Sequence, residues 1–131
     1  MMEMVEGGIL IGLVVRDSEA ILDFYQNILG MELGRTEPMD EGGTKYYLKF
    51  RGGFLKLFAP DEPPKKTPAG VLDHTGYNVL TFLVTNIQDM SAVLEEKGVR
   101  IVIPIQTTDN GTKWMVILDP EDNCIELAQR A

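Results

Sequence analysis

Histidine and cysteine each occur once in these 131 residues, as His74 and Cys124, and cations are scarce, with 12 Lys and Arg against 20 Asp and Glu. A single cysteine excludes an internal disulfide framework and suits a reducing compartment. The formal net charge of −8, with an estimated pI near 4.6, repels phosphate backbones and anionic membrane surfaces, so nucleic acid is excluded as a natural partner. No stretch approaches the roughly 18 consecutive apolar residues that a membrane span needs. The opening Met1-Met2-Glu3-Met4-Val5-Glu6 has neither a basic region nor a sustained apolar run before Gly7-Gly8, so no targeting segment is visible. These absences lead to the expectation of a soluble, cytoplasmic protein.

What is present is a chain that occurs twice. Gly43-Thr44-Lys45-Tyr46 and Gly111-Thr112-Lys113-Trp114 take matching places in two halves, as do Leu13-Val14-Val15-Arg16-Asp17 and Phe82-Leu83-Val84-Thr85-Asn86. Leu55-Lys56-Leu57 is matched in the same way by Ile125-Glu126-Leu127. Asn86 follows Asp17 by 69 residues, Gly111 follows Gly43 by 68, and Glu126 follows Lys56 by 70, so only small turn insertions separate the copies. A repeat of this length is a whole supersecondary module. With 44% hydrophobic residues the chain can build one globular core, whereas either half alone would be marginal. The expected organisation is one domain over residues 1–131, with module one at about 8–59, a Pro-rich linker at about 60–74 and module two at about 76–129.

The first module reads strand, helix, strand, strand, strand. The almost wholly apolar run from Ile9 to Val15 predicts a buried strand, Asp17 a helix cap, and Ile21, Phe24, Tyr25, Ile28 and Leu29 the apolar stripe of one amphipathic helix that Gly30 ends. Strands are predicted over Met31 to Thr36, Lys45 to Arg51 and Phe54 to Ala59, with turns at Pro38 to Gly43 and at Gly52-Gly53. The second module repeats the order. Tyr77 to Val84 is its first strand, Asn86 the cap, Met90, Val93 and Leu94 the helical stripe before Gly98, and Val99 to Ile105, Thr112 to Leu118 and Asn123 to Ala128 the remaining strands. Between the modules, the prolines of Pro60 to Gly70 predict an extended linker.

This doubled order, with Val15-Arg16-Asp17 before a helix holding Phe24-Tyr25, then Leu29-Gly30-Met31-Glu32-Leu33-Gly34, and Leu118-Asp119-Pro120-Glu121-Asp122-Asn123-Cys124-Ile125-Glu126-Leu127 near the end, resembles the vicinal oxygen chelate superfamily, the glyoxalase, bleomycin-resistance and dioxygenase group. The resemblance implies an α+β fold in which two tandem βαβββ modules form a curved mixed sheet around a central cavity. In metal-using members each module gives one ligand from its first strand, usually a histidine seven residues before the capping residue, and one glutamate from its last strand. Those positions here are Leu10, Val79, Lys56 and Glu126. Only Glu126 can bind a metal, so the resemblance carries over a dismantled metal site and no metal ligand or cofactor is predicted. It also implies a homodimer, while the charge and the missing apolar span already leave out nucleic acid and membrane as partners.

Convergence of the four positions would set Lys56 against Glu126 in an apolar cavity, as a partly buried ion pair that replaces the charge of a metal. The bland reading lets Lys56 extend to solvent. Strand alternation proposes Leu10, Phe54, Phe58, Val79, Thr81 and Cys124 as further lining, with Tyr47 and Met115 as additions, and sends Tyr46, Leu48, Trp114 and Val116 to the packing side. Cys124 is a candidate pocket thiol, though a small buried hydrophobe is the commoner role. His74 lies in a loop and reads as a solvated or locally bonded histidine rather than a displaced ligand.

Three functions fit. The first is a glyoxalase- and bleomycin-resistance-like protein that binds a small, largely apolar or aromatic molecule in a metal-free cavity, the acidic surface favouring a cationic drug. The second is a metal-dependent lyase, isomerase or dioxygenase, with a divalent metal as cofactor, supported only by Glu126. The third is a metal-free acid/base enzyme, with Glu126 as base and Lys56 stabilising an enolate-like charge.

Overall fold

Asp17 and Gly30 bracket the first helix as their chemistry requires. The Asp17 carboxylate accepts from the Ala20 amide at 3.1 Å, and Gly30 takes the left-handed φ of 79° that ends the segment. Between them the helix is not uniform. In the computed structural model, which describes residues 1–6, 8–66, 72 and 75–131, an α-helix over Ser18–Asp23 (α1) widens into a π turn over Phe24–Ile28. Both adjacent aromatics of that wider turn are buried, Phe24 and Tyr25 meeting edge to face with centroids 5.1 Å apart. His74 lies outside the described residues, as does most of the linker beyond Lys66.

The chain divides into two compact units, Met1–Lys66 and Thr67–Ala131. In the first, β1 (Ile9–Val14), β2 (Glu32–Pro38), β3 (Gly43–Phe50) and β4 (Gly53–Pro60) form a four-stranded mixed sheet in the order β1-β4-β3-β2. β1 runs parallel to β4 and the other pairs are antiparallel. In the second, β5 (Val79–Leu83), α2 (Ile87–Glu96), β6 (Ile101–Thr107), β7 (Lys113–Leu118) and β8 (Cys124–Gln129) repeat the plan, in the order β5-β8-β7-β6. The architecture is therefore α+β, with two tandem βαβββ modules.

Each sheet has a core face and a far face. Leu48, Leu55 and Leu57 are fully buried on the core face of the first sheet, and Met115, Ile117 and Ile125 on that of the second, with Leu127 nearly so. Ile21, Ile87 and Leu94 complete the cores from the helices.

Two local expectations are corrected. β1 is an edge strand rather than a buried one, with Ile9 59%, Leu10 46% and Val14 57% exposed; an unbroken apolar run specifies a strand but not its place in the sheet. Asn86 precedes α2 but makes no side-chain cap bond. The Ile87 amide instead donates to the Gln129 side-chain oxygen at 2.8 Å, so β8 satisfies the start of α2. The start of the linker is held as well, since the Arg16 guanidinium donates to the carbonyls of Pro63, at 3.3 Å, and Pro64.

Candidate functional site

Residues opposite one another in adjacent strands share a face, so the pairing register arranges the far face of the first sheet as three rungs. Across β2, β3, β4 and β1 these are Glu32–Lys49–Phe54–Leu10, Arg35–Tyr47–Lys56–Gly12 and Glu37–Lys45–Phe58–Val14. A register shift between Leu33 and Arg35 puts Arg35, rather than Gly34, opposite Tyr47. The outer rungs each pair a glutamate with a lysine. The middle rung carries two cations and no carboxylate.

Side-chain geometry follows the rungs. Lys45 Nζ and the Tyr47 hydroxyl both donate to Glu37 Oε1, at 3.0 and 2.8 Å. These bonds, that from Lys45 first, hold the Glu37 carboxyl below its ordinary range, and the same contact raises Lys45. The Arg35 guanidinium lies 4.1 Å above the Tyr47 ring centroid, and Tyr47 is the largest cause keeping its pKa above the usual value. Lys45 Nζ and Lys56 Nζ each stand 5.6 Å from the Phe58 centroid. The absence of a side chain at Gly12 makes room for that ring: a Cβ there would lie 2.8 Å from Phe58 Cε2.

A cavity of about 650 Å³ opens beside the third rung, lined by Val14, Phe58, Lys45 and Glu37, by the β2–β3 turn from Pro38 to Glu41, which brings Asp40 and Glu41, and by Pro60. Of the ligand-binding residues expected from the sequence, Phe58 lines it. Tyr47 and Lys56 border it through Glu37 and Phe58. Sequence reading passed over Arg35, Glu37 and Lys45. The signal available was an opposite-charge pair, Glu37 and Lys45, flanking a Gly-containing turn.

The far face of the second sheet is different. Its middle rung is Ile103–Val116–Glu126–Thr81, and Thr81 Oγ1 donates to Glu126 Oε1 at 3.1 Å. Cys124 pairs with Val79 and Leu118, and Ala128 with Leu83 and Trp114. Val79 is 45% exposed, while Cys124 is buried as a free thiol. Met115 is not on this face: it stands opposite Leu127, fully buried on the core face, and Trp114 and Val116 take the positions that the alternation assigned to it. The Gly-Thr-Lys motif misleads here. Lys45 sits opposite Phe58, whereas Trp114, not Lys113, sits opposite the equivalent Ala128, and a one-residue slip moves every side chain to the other face.

The donor set does not suit the metal that the fold implies. Leu10 and Val79 offer no donor atom, and a protonated Lys56 offers no lone pair, which leaves Glu126. Among the described residues, no group of three or more His, Cys, Asp or Glu is placed to hold a metal ion. No helix among them is long and apolar enough to cross a membrane.

Comparison with known proteins agrees with this architecture. The chain is similar to a glyoxalase family protein from Enterococcus faecalis at 26% identity and a TM-score of 0.73, over 92% of this chain and 93% of that one. A glyoxalase family protein from Bacillus cereus superposes with a TM-score of 0.79 at 17% identity, covering 99% and 95% of the two chains. A lactoylglutathione lyase from Agrobacterium tumefaciens does so with a TM-score of 0.68 at 20% identity, covering 92% and 90%. No curated protein matches the chain. The model of one family matches residues 9–127, nearly the whole of both repeats, and with it the chain belongs to the Glyoxalase/Bleomycin resistance protein/Dioxygenase superfamily.

Proposed function

We propose that this protein binds a small, largely apolar or aromatic molecule without a metal ion, as a single domain over residues 1–131 that forms a homodimer in the cytoplasm. The carrying observation is the identity of the four ligand positions, Leu10, Lys56, Val79 and Glu126, which keep one metal-binding group of four. The far faces support the same reading: Phe54 and Phe58 in the first unit and Val79 and Trp114 in the second offer apolar and aromatic surface. Leu10 and Thr81 extend that surface, and Tyr47, Val116 and Cys124 are buried members of the same faces. In this reading Lys56 and Glu126 are each the polar group that the middle rung of its own sheet offers a ligand, and no catalyst is required of either.

The test is titration with the uncharged aromatic probe N-phenyl-1-naphthylamine, with and without EDTA, beside metal analysis of protein purified without chelator. Saturable binding that EDTA leaves unchanged, with metal far below one ion per chain, is the expected result. Binding that EDTA abolishes, or near-stoichiometric metal that is lost in Glu126→Gln, overturns the metal-free reading. Absence of any binding overturns the small-molecule reading itself.

A further inference from the structure

The net charge of this chain is −8, yet the middle rung of its first sheet holds Arg35 and Lys56 on either side of Tyr47, with Gly12 at its end and no carboxylate. Glu32 and Glu37 lie in the outer rungs, each opposite its own lysine, and Glu37 is engaged by Lys45 and by the Tyr47 hydroxyl. Arg35 and Lys56 thus share their rung with no carboxylate of its own. They stand two strands apart with Tyr47 between them, and Glu37, already engaged by Lys45, is the carboxylate that acts on Arg35, so Arg35, Lys45 and Lys56 outnumber it. A ligand that brings an anion would balance them.

We infer that the ligand carries an acidic group, a carboxylate or sulfonate, on its apolar or aromatic body. The Arg35 guanidinium, whose Cζ lies 4.1 Å from the Tyr47 ring centroid, has the forked donors that suit a planar or trigonal oxyanion, with Lys56 as the second counter-charge. The apolar body then packs against Phe58 and Val14 in the 650 Å³ cavity beside that rung. The Phe58 ring lies within 5.6 Å of both Lys45 and Lys56, so it joins the cationic strip to the cavity. This inference rests on the small-molecule reading above and gives that ligand its charge, opposite in sign to the cationic drug that the acidic surface suggested. Glu37, Asp40 and Glu41 line the cavity beside Lys45, so the acidic group belongs at the rung, between Arg35 and Lys56, and the apolar body at Phe58 and Val14.

Two probes with the same aromatic body separate the two readings: 8-anilinonaphthalene-1-sulfonate carries the anion and N-phenyl-1-naphthylamine lacks it. Tighter binding of the sulfonate is expected, by about tenfold or more, in line with a charge-assisted hydrogen-bonded pair of about 1.5–3 kcal/mol. Arg35→Gln is expected to remove most of that preference, read as the ratio of the two probes' affinities, and Lys56→Met to reduce it. Arg35 is exposed, so its replacement leaves the core intact. Equal binding of both probes overturns the acid inference and leaves the small-molecule reading standing. A sulfonate preference that survives Arg35→Gln and Lys56→Met also overturns it, and failure of both probes to bind overturns both readings.

Discussion

The two units share one topology and one rung pattern, yet they have diverged in opposite directions on the same face. In the first, the middle rung is Arg35–Tyr47–Lys56–Gly12; in the second it is Ile103–Val116–Glu126–Thr81. The core faces show no such contrast. Leu55 and Ile125, at equivalent places in the repeat, are both fully buried and both aliphatic. Packing demands the same volume and polarity from each copy, so the cores stay alike. The far face is held by no such demand, and there the cations gather in one unit while a single carboxylate remains in the other. The duplicated scaffold therefore supplies shape twice and chemistry once per copy.

The sharpest structural test of the comparison lies at Gly43 and Gly111, which open the same motif in each copy. Both have positive φ, 106° and 85°, where a side chain is strained by roughly 1–3 kcal/mol. Their surroundings differ. A Cβ at Gly43 would lie 2.3 Å from the Ala59 carbonyl oxygen and 2.7 Å from Pro60 Cα, whereas at Gly111 the nearest atom is the Ala131 side chain at 3.1 Å. Backbone cannot step aside as a terminal side chain can. Gly111→Ala is expected to cost about 1–2 kcal/mol and Gly43→Ala about 3 kcal/mol or more, read by urea denaturation. Equal costs would mean that the β4 end yields more readily than its pairing implies.

Most of the architecture was legible because repetition doubles the signal. Asp17, Gly30 and Gly98 mark helix ends in the sequence and do so in the structure, since caps and left-handed positions are decided by local chemistry. What misled was parity. The copies are offset by 68, 69 or 70 residues depending on the landmark, and each step of one exchanges the faces of a strand. Hence Tyr47 was placed on the far face correctly and Met115 was not. The Glu37–Lys45–Tyr47 cluster was missed for a related reason: its members are cross-strand neighbours, eight and ten residues apart, joined by a hairpin whose register depends on the shift between Leu33 and Arg35.

The helix starts differ by a smaller margin. α1 is capped from within, by Asp17 on the Ala20 amide, while α2 is served from β8, by Gln129 on the Ile87 amide. Asp17→Ala should destabilise the protein by about 0.5–2 kcal/mol. Asn86→Ala, at the matching position, should cost little, because its side chain makes no cap bond. Gln129→Ala should cost about 0.5–1.5 kcal/mol, the net worth of a typical hydrogen bond. Thermal unfolding of the three variants orders them; a loss at Asn86 as large as at Asp17 would restore the symmetric capping that the sequence suggested.

The smallest effect concerns pH, and between the two equivalent outer rungs only that of the first unit should show it. Glu37 is held below its ordinary 4.5 by the bonds from Lys45 and Tyr47. A depressed carboxyl contributes stability that is present above its unfolded pKa and is lost as pH falls through the folded one. Lys45, raised above 10.5 by Glu37, contributes at the other end: its share is present below 10.5 and is lost as pH rises through the folded value. The pair therefore acts across the neutral range and fades in acid and in strong base. In the second unit Gln106 and Trp114 face each other on the equivalent rung, and neither titrates as an acid or a base in that range. The stability difference between the parent protein and Glu37→Gln should shrink between about pH 6 and about pH 3, while that for Gln106→Ala stays flat. Salt should reduce the Glu37 difference at neutral pH as well, because these side chains are partly exposed. A Glu37→Gln difference that is constant down to about pH 3 would show that the carboxylate is held by hydrogen-bond geometry alone, with no contribution from its charge.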